Sequence, residues 1–127
     1  PQAQAVFFGP QVSGIQSNLI ITIRRVATGV TLQEIARVSD ENQRVVSANY
    51  TVLGEQDYTE EGGSAFVRRF TRTTGEGSVV EQIQALILVD TLLYTLTGTS
   101  AAEGDNPELT EVKALLDLMI RSFVVTS

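Results

Sequence analysis

The sequence predicts an α+β fold: an α/β/α sandwich on a central antiparallel sheet of about six strands, with a helix on each face. Three observations predict it. The stretch Val79–Gly98 reads as a β-hairpin hinged at Asp90-Thr91, and its residues 85–89 are apolar on both sides of a two-residue period. That is the pattern of a strand covered on both faces. Stretches of strand character joined by short loops pair antiparallel. Two amphipathic helical segments, opening at Thr31 and at Asn106, each need sheet to cover.

Taken in order, Pro1–Ala5 is expected as a mobile leader, followed by a short strand at Val6–Phe8 closed by the turn pair Gly9-Pro10. Residues 11–17 connect it to a strand at Asn18–Arg24, where Leu19, Ile21 and Ile23 share a face. Thr28-Gly29 then breaks the chain. Thr31-Leu32-Gln33-Glu34 has the capping-box form, in which the threonine hydroxyl accepts from the Glu34 amide and the glutamate reaches back. Leu32, Ile35, Ala36, Ser39, Gln43 and Val46 follow at helical spacing, while Asp40–Arg44 is polar all round and is expected to fray or lie at the surface.

Strand character resumes at Tyr50–Tyr58, and Glu60–Ser64 reads as a solvated turn. Ala65–Thr73 is the next strand, and 74–78 forms a loop into the hairpin, whose second strand starts at Leu92 and is bounded by Gly98. Ser100–Asp105 is a connector of small and polar residues. Asn106 caps the second helix, Pro107 fits its first position, and Leu109, Val112, Leu115, Leu116, Met119, Ile120 and Phe123 keep one apolar stripe.

The 127 residues make one domain, 1–127, large enough to bury a core without disulfides or metals. Cysteine is absent, which removes thiol catalysis, disulfides and thiolate metal sites. Histidine is absent too, and with it the usual general base and the commonest transition-metal ligand. A net charge of −6 repels phosphate backbones, so no nucleic-acid partner is expected. The longest apolar run is too short to span a bilayer. The chain opens on Pro1 rather than Met, from which an upstream segment is expected.

Several constellations have ordinary explanations. Glu55, Asp57, Glu60 and Glu61 lack the ligand order of a calcium loop. The glycine pairs at 62–63 and 75–77 precede no helix, so they do not form a phosphate cradle. A serine–lysine pair would need Lys113, which helix periodicity points outward. The arginines are more informative: Arg24-Arg25 close a strand, and Arg68, Phe70 and Arg72 share a face beside Gln82 and Gln84 if the next strand pairs in the simplest register. Two readings fit this strip. One is cross-strand pairing with the chain's own surplus of acids; the other is a protein-binding surface, since arginine and aromatic residues concentrate at binding hot spots.

The order of motifs carries a resemblance. Val6-Phe7-Phe8-Gly9-Pro10, Asn18–Ile23, Thr31–Glu34, Tyr50–Leu53, Gly63-Ser64-Ala65, Gln82–Leu86, Tyr94–Thr97 and Ile120–Phe123 resemble, in this order and over nearly the whole chain, the PsbP-like (Mog-type) fold superfamily. Within it they are similar to DcrB-like domains and to LpqN/LpqT-type lipoproteins. The resemblance implies an antiparallel sheet with helices on both faces, no enzymatic activity, no cofactor and a protein partner. Members include photosystem accessory subunits, a Ran-binding relative, envelope lipoproteins and chaperones of secretion effectors. The further strand and Pro-Gly-Trp-like segment of those chaperones and the lipidated cysteine of the lipoproteins are absent from this sequence. The expectation is a non-enzymatic protein-binding or accessory domain of the cell envelope, on the extracytoplasmic side and tied to a membrane only through an N-terminal anchor. The alternatives are a cytoplasmic chaperone or adaptor for secretion effectors and a carrier of a small apolar ligand; a homo-oligomer is compatible with each.

Overall fold

The computed structural model describes residues 3–12, 14–60, 63–102 and 107–122. Six strands and two helices follow one another as β1 (Ala3–Val12), β2 (Ile15–Arg25), α1 (Leu32–Val46), β3 (Ala48–Glu60), β4 (Gly63–Thr73), β5 (Val79–Val89), β6 (Leu92–Ala101) and α2 (Pro107–Arg121). The strands form one antiparallel sheet in the order β1-β2-β6-β5-β4-β3. Each hairpin pairs neighbours in sequence, and the contact of β2 with β6 closes the sheet over the intervening helix and strands.

The helices lie on opposite faces, as the two-sided apolar run requires. Ile83, Ala85, Ile87 and Leu96 meet Leu109, Val112, Leu116 and Ile120 of α2, while Leu86 and Leu93 meet Leu32, Ile35 and Ala36 of α1. Burying a side chain such as Leu96 or Ile120 contributes about 1.5–3 kcal/mol. The β5–β6 hairpin turns through Asp90 and Thr91, with Asp90 in the left-handed region at φ 55°. Aspartate tolerates that conformation better than most residues. The Thr91 carbonyl accepts from the Val26 amide at 2.8 Å, tying the hairpin tip to the end of β2.

The structure corrects several sequence expectations. Ala3–Ala5 belong to β1 rather than to a leader, and β1 runs through Gly9-Pro10. The pair marks a register shift between Phe8 and Gln11 instead of a turn. An outer strand tolerates proline there because only one of its edges must supply amides. Within the expected connector 11–17, Gln11 pairs with Gln16 and Val12 with Ile15. Helix α1 begins with one half of the predicted capping box, the Thr31 hydroxyl accepting from the Glu34 amide at 3.2 Å, while the return bond to the Glu34 carboxylate is not formed among the described residues. Its polar half stays helical, held by Arg37–Glu41 and Arg44–Asp40 pairs one turn apart. Val46, expected on the buried stripe, is exposed, and so is Leu115 of α2.

Gly98 does not end β6, which continues to Ala101 and takes in Ser100 from the expected connector. A Cβ at Gly98 would lie 3.2 Å from Ile83, 3.3 Å from Leu116 and 3.4 Å from Ile120, so the missing side chain lets α2 settle close on the sheet. At 60–64, Glu60 and Gly63 pair as the ends of β3 and β4, whereas Glu61 and Gly62 lie outside the described residues. So do Asn106 and Phe123. Among the described residues, no helix is long and apolar enough to cross a membrane.

Candidate functional site

The alternation of β4 and β5 sends Arg68, Phe70, Arg72, Gln82 and Gln84 to the sheet face that carries α1. Arg68 stands opposite Gln84 and Phe70 opposite Gln82, the register expected from the sequence. The strip is wired internally as two hydrogen-bonded chains. Arg72 Nε donates to Gln82 Oε1 at 2.8 Å, and Gln82 Nε2 donates to Thr99 Oγ1 at 2.8 Å. One row away, the Ser39 hydroxyl of α1 donates to Gln84 Oε1 at 3.3 Å, and Gln84 Nε2 donates to Thr97 Oγ1 at 3.1 Å.

Arg68 is only 3% exposed. Its Nε donates to Glu55 at 2.7 Å and its Nη2 to the Ala36 carbonyl of α1 at 3.0 Å, while the guanidinium lies 4.9 Å from the Phe66 ring centroid. It positions α1 on the sheet. Phe70 and Gln82, 1% and 8% exposed, are likewise buried, and Phe70 packs against Tyr50 at 5.1 Å. Arg72 and Gln84 keep partial access to solvent. The Tyr50 hydroxyl donates to Asp40 at 2.9 Å, with Arg44 on the other carboxylate oxygen at 3.0 Å. Burial raises the Asp40 carboxyl, but these two donors and the arginine charge outweigh it and leave the group below its usual range. Burial and the donation to Asp40 push Tyr50 up to about 12.

Helix α1 covers only half of this face. It packs on β3, β4 and β5, while α2 packs on β1, β5 and β6 from the other side. Apart from Leu93, which packs under α1, the α1-side positions of β2 and β6 lie beyond the surface that the helix covers. Asn18, Ile20 and Thr22 stand opposite Thr99, Thr97 and Thr95, all half-buried. Beside them, at the ends of β2, β5 and β6, α1 and the sheet enclose a cleft of about 650 Å³. Its apolar lining includes Val30, Ile35, Leu86 and Leu93, and Ser39, Gln84 and Thr95 add polar groups. Arg24, Arg25, Arg37 and Glu34 supply its charges.

The α2 side holds two smaller hollows. One, of about 360 Å³, carries Arg69, Glu81, Lys113, Asp117 and Arg121. Lys113, expected to point outward, is half-buried and donates to Glu81 at 3.3 Å and to the Ala102 carbonyl at 3.0 Å. Ser100 lines the same hollow. The other is an apolar groove of about 230 Å³ under β1, lined by Phe7, Pro10, Leu19, Val112, Leu115 and Met119.

The sequence placed the strip correctly on one face but missed the half-uncovered neighbour. The signal was present in the alternating threonines Thr95, Thr97 and Thr99, polar positions in a strand otherwise buried at Leu93, Leu96 and Ala101. Arg37 gave no signal, because only the fold brings it to the Arg24-Arg25 end of β2.

No protein-family model and no curated protein matches the chain. Solved structures do. PA94 of Pseudomonas aeruginosa, a protein of unknown function, superposes with a TM-score of 0.82 at 12% identity, covering 100% of this chain and 86% of that one. Cyanobacterial PsbP (CyanoP) from Synechocystis sp. PCC 6803 gives 0.65 at 15% identity, over 97% of this chain and 83% of its own. LpqN of Mycobacterium tuberculosis, involved in cell envelope biogenesis, gives 0.52 at 12% identity, over 93% and 78%. The six-stranded antiparallel sheet with a helix on each face is thus a PsbP-like fold.

Proposed function

We propose that this chain is a non-enzymatic accessory domain of the cell envelope, on its extracytoplasmic side, that binds a protein partner through the α1-side face of its sheet. The observation that carries this reading is the half-covered face, where β2 and β6 present a polar row beside a cleft and next to the Arg72 and Gln84 end of the internal strip. The side-chain inventory supports a binding role. The chain has neither histidine nor cysteine, and its single lysine is engaged by Glu81 and a backbone carbonyl. The envelope role of LpqN supports the location.

A comparison of captures tests the proposal. The wild-type protein and a Thr97→Trp variant, which adds bulk on the open row, are each used to capture proteins from an envelope extract. The expected result is a protein retained by the wild type and by Leu118→Ser on the opposite side, but lost from Thr97→Trp. A second reading, carriage of a small apolar ligand, is favoured by the groove under β1. A capture insensitive to Thr97→Trp, together with a small apolar molecule in the native mass spectrum, would replace the first reading with the second.

A further inference from the structure

We propose that the cleft beside α1 receives an extended acidic peptide segment of the partner, anchored by one apolar side chain; this rests on the protein-binding reading above. The pairing of the chain's cations carries the inference. Acids outnumber bases 15 to 9. Arg37, Arg44, Arg68, Arg69, Lys113 and Arg121 each pair with a carboxylate. Among the described residues, Arg24, Arg25 and Arg72 do not, in spite of that surplus. The Arg24 side chain has no hydrogen-bond partner there, the Arg25 guanidinium donates to the neutral Thr91 hydroxyl at 2.8 Å, and that of Arg72 to the neutral Gln82 amide.

These three arginines bracket the open face. Arg24 and Arg25 line the cleft at one end, and Arg72 stands at the other, level with Val80 and Ala101. Within the cleft, Arg24, Arg25 and Arg37 face one acid, Glu34, and Arg37 is already paired with Glu41 outside it. The local sign is therefore positive on a chain of net charge −6, which attracts and orients an anionic partner. Leu93, opposite Arg24, and Ala101, level with Arg72, are separated along β6 by roughly 26 Å at about 3.3 Å per residue. Arg72 on β4 also lies three strands across from Arg24 on β2, roughly 14 Å at about 4.8 Å per strand, so an extended segment of about nine residues spans the two.

The lining between the two ends suits a peptide better than a lipid surface. Gln84, Thr95, Thr97 and Thr99 offer side-chain donors and acceptors along the line that an extended backbone would follow. Leu86, Leu93, Val30 and Ile35 offer an apolar hollow for a single side chain rather than for a membrane.

The test uses the intact protein and a phage-displayed library of random peptides. The expected result is enrichment of peptides carrying several Asp or Glu around one Leu, Ile or Phe. A selected peptide, followed by fluorescence anisotropy, should bind about tenfold more weakly to Arg24→Glu. Its affinity should also fall as salt rises from about 0.05 to about 0.5 M. The Arg24 side chain makes no hydrogen bond or ion pair among the described residues, so the variant should melt like the wild type, and Arg24→Gln should give an intermediate affinity. Arg121→Gln, on the opposite side, should leave affinity unchanged. Selection without acidic enrichment overturns the inference, as does equal binding by Arg24→Glu. Cosedimentation with phosphatidylglycerol vesicles that Arg24→Glu abolishes, with no peptide selected, overturns it in favour of a lipid headgroup. If the peptide arm fails while the Thr97-dependent capture holds, the protein-binding reading stands and only the acidic segment falls.

Discussion

Replacing Arg68 by Met keeps most of the side-chain volume and removes its charge, so it separates a positioning role for this residue from a packing role. The guanidinium makes one bond to Glu55 and one to the Ala36 carbonyl. Hydrogen bonds to charged groups contribute about 1.5–3 kcal/mol each where they are desolvated. The Glu55 end is 46% exposed and can be rehydrated when the arginine is lost, so its bond belongs at the low end or below. The Ala36 carbonyl sits mid-helix, where the helix ladder also supplies a donor, and is not orphaned. The expected loss is about 2–3 kcal/mol. At 127 residues, each kcal/mol moves the melting temperature by about 3–5 °C, so the variant should melt roughly 6–15 °C lower. Urea unfolding followed by far-UV circular dichroism measures the loss through the shift in midpoint, with Glu55→Gln expected to lose about 1 kcal/mol. A loss below about 0.5 kcal/mol for Arg68→Met would refute the assignment of Arg68 as the residue that fixes α1 on the sheet.

Two further perturbations probe the packing and the polar cluster. Gly98→Val places methyl groups where even a Cβ would stand 3.2–3.4 Å from Ile83, Leu116 and Ile120. It should cost about 1–3 kcal/mol in urea unfolding, and an unchanged midpoint would contradict the close approach of α2. Tyr50 has a raised folded pKa, so its contribution is complete below the unfolded value of about 10 and is lost as pH rises toward about 12. Asp40 has a lowered one, so its contribution is present above the unfolded value of about 3.9 and is lost as pH falls through the folded value. Unfolding midpoints across pH should therefore fall at both extremes. Tyr50→Phe should flatten the alkaline fall, and equal slopes for the two proteins would count against the Tyr50–Asp40 bond.

What the sequence disclosed and what it hid divide along the range of the interactions. Local signals held: the Thr31 hydroxyl caps α1, and the two-sided apolar run at 85–89 became the doubly covered middle of the sheet. The register of Arg68 against Gln84 followed from a short loop and the pleat. Signals that depend on distant partners misled. Gly98 reads locally as a strand end, yet it is a contact point for Leu116 and Ile120 of α2, more than fifteen positions further on. Gly9-Pro10 reads as a turn until the neighbouring β2 shows it to be an irregularity in a continuous edge strand. Val46 continues the helical stripe on paper but lies past the edge of the surface that α1 covers. The open half of the α1-side face was hardest to foresee, since it exists only because β6 returns to lie between β5 and β2.

The claim that this open half is the working surface is tested most directly by a photo-crosslinking amino acid placed singly at Thr97 and, as a control, at Glu111 on the exposed side of α2. A discrete crosslinked protein is expected from position 97 and none from position 111. Adducts of the same protein from 111 and not from 97 would contradict it.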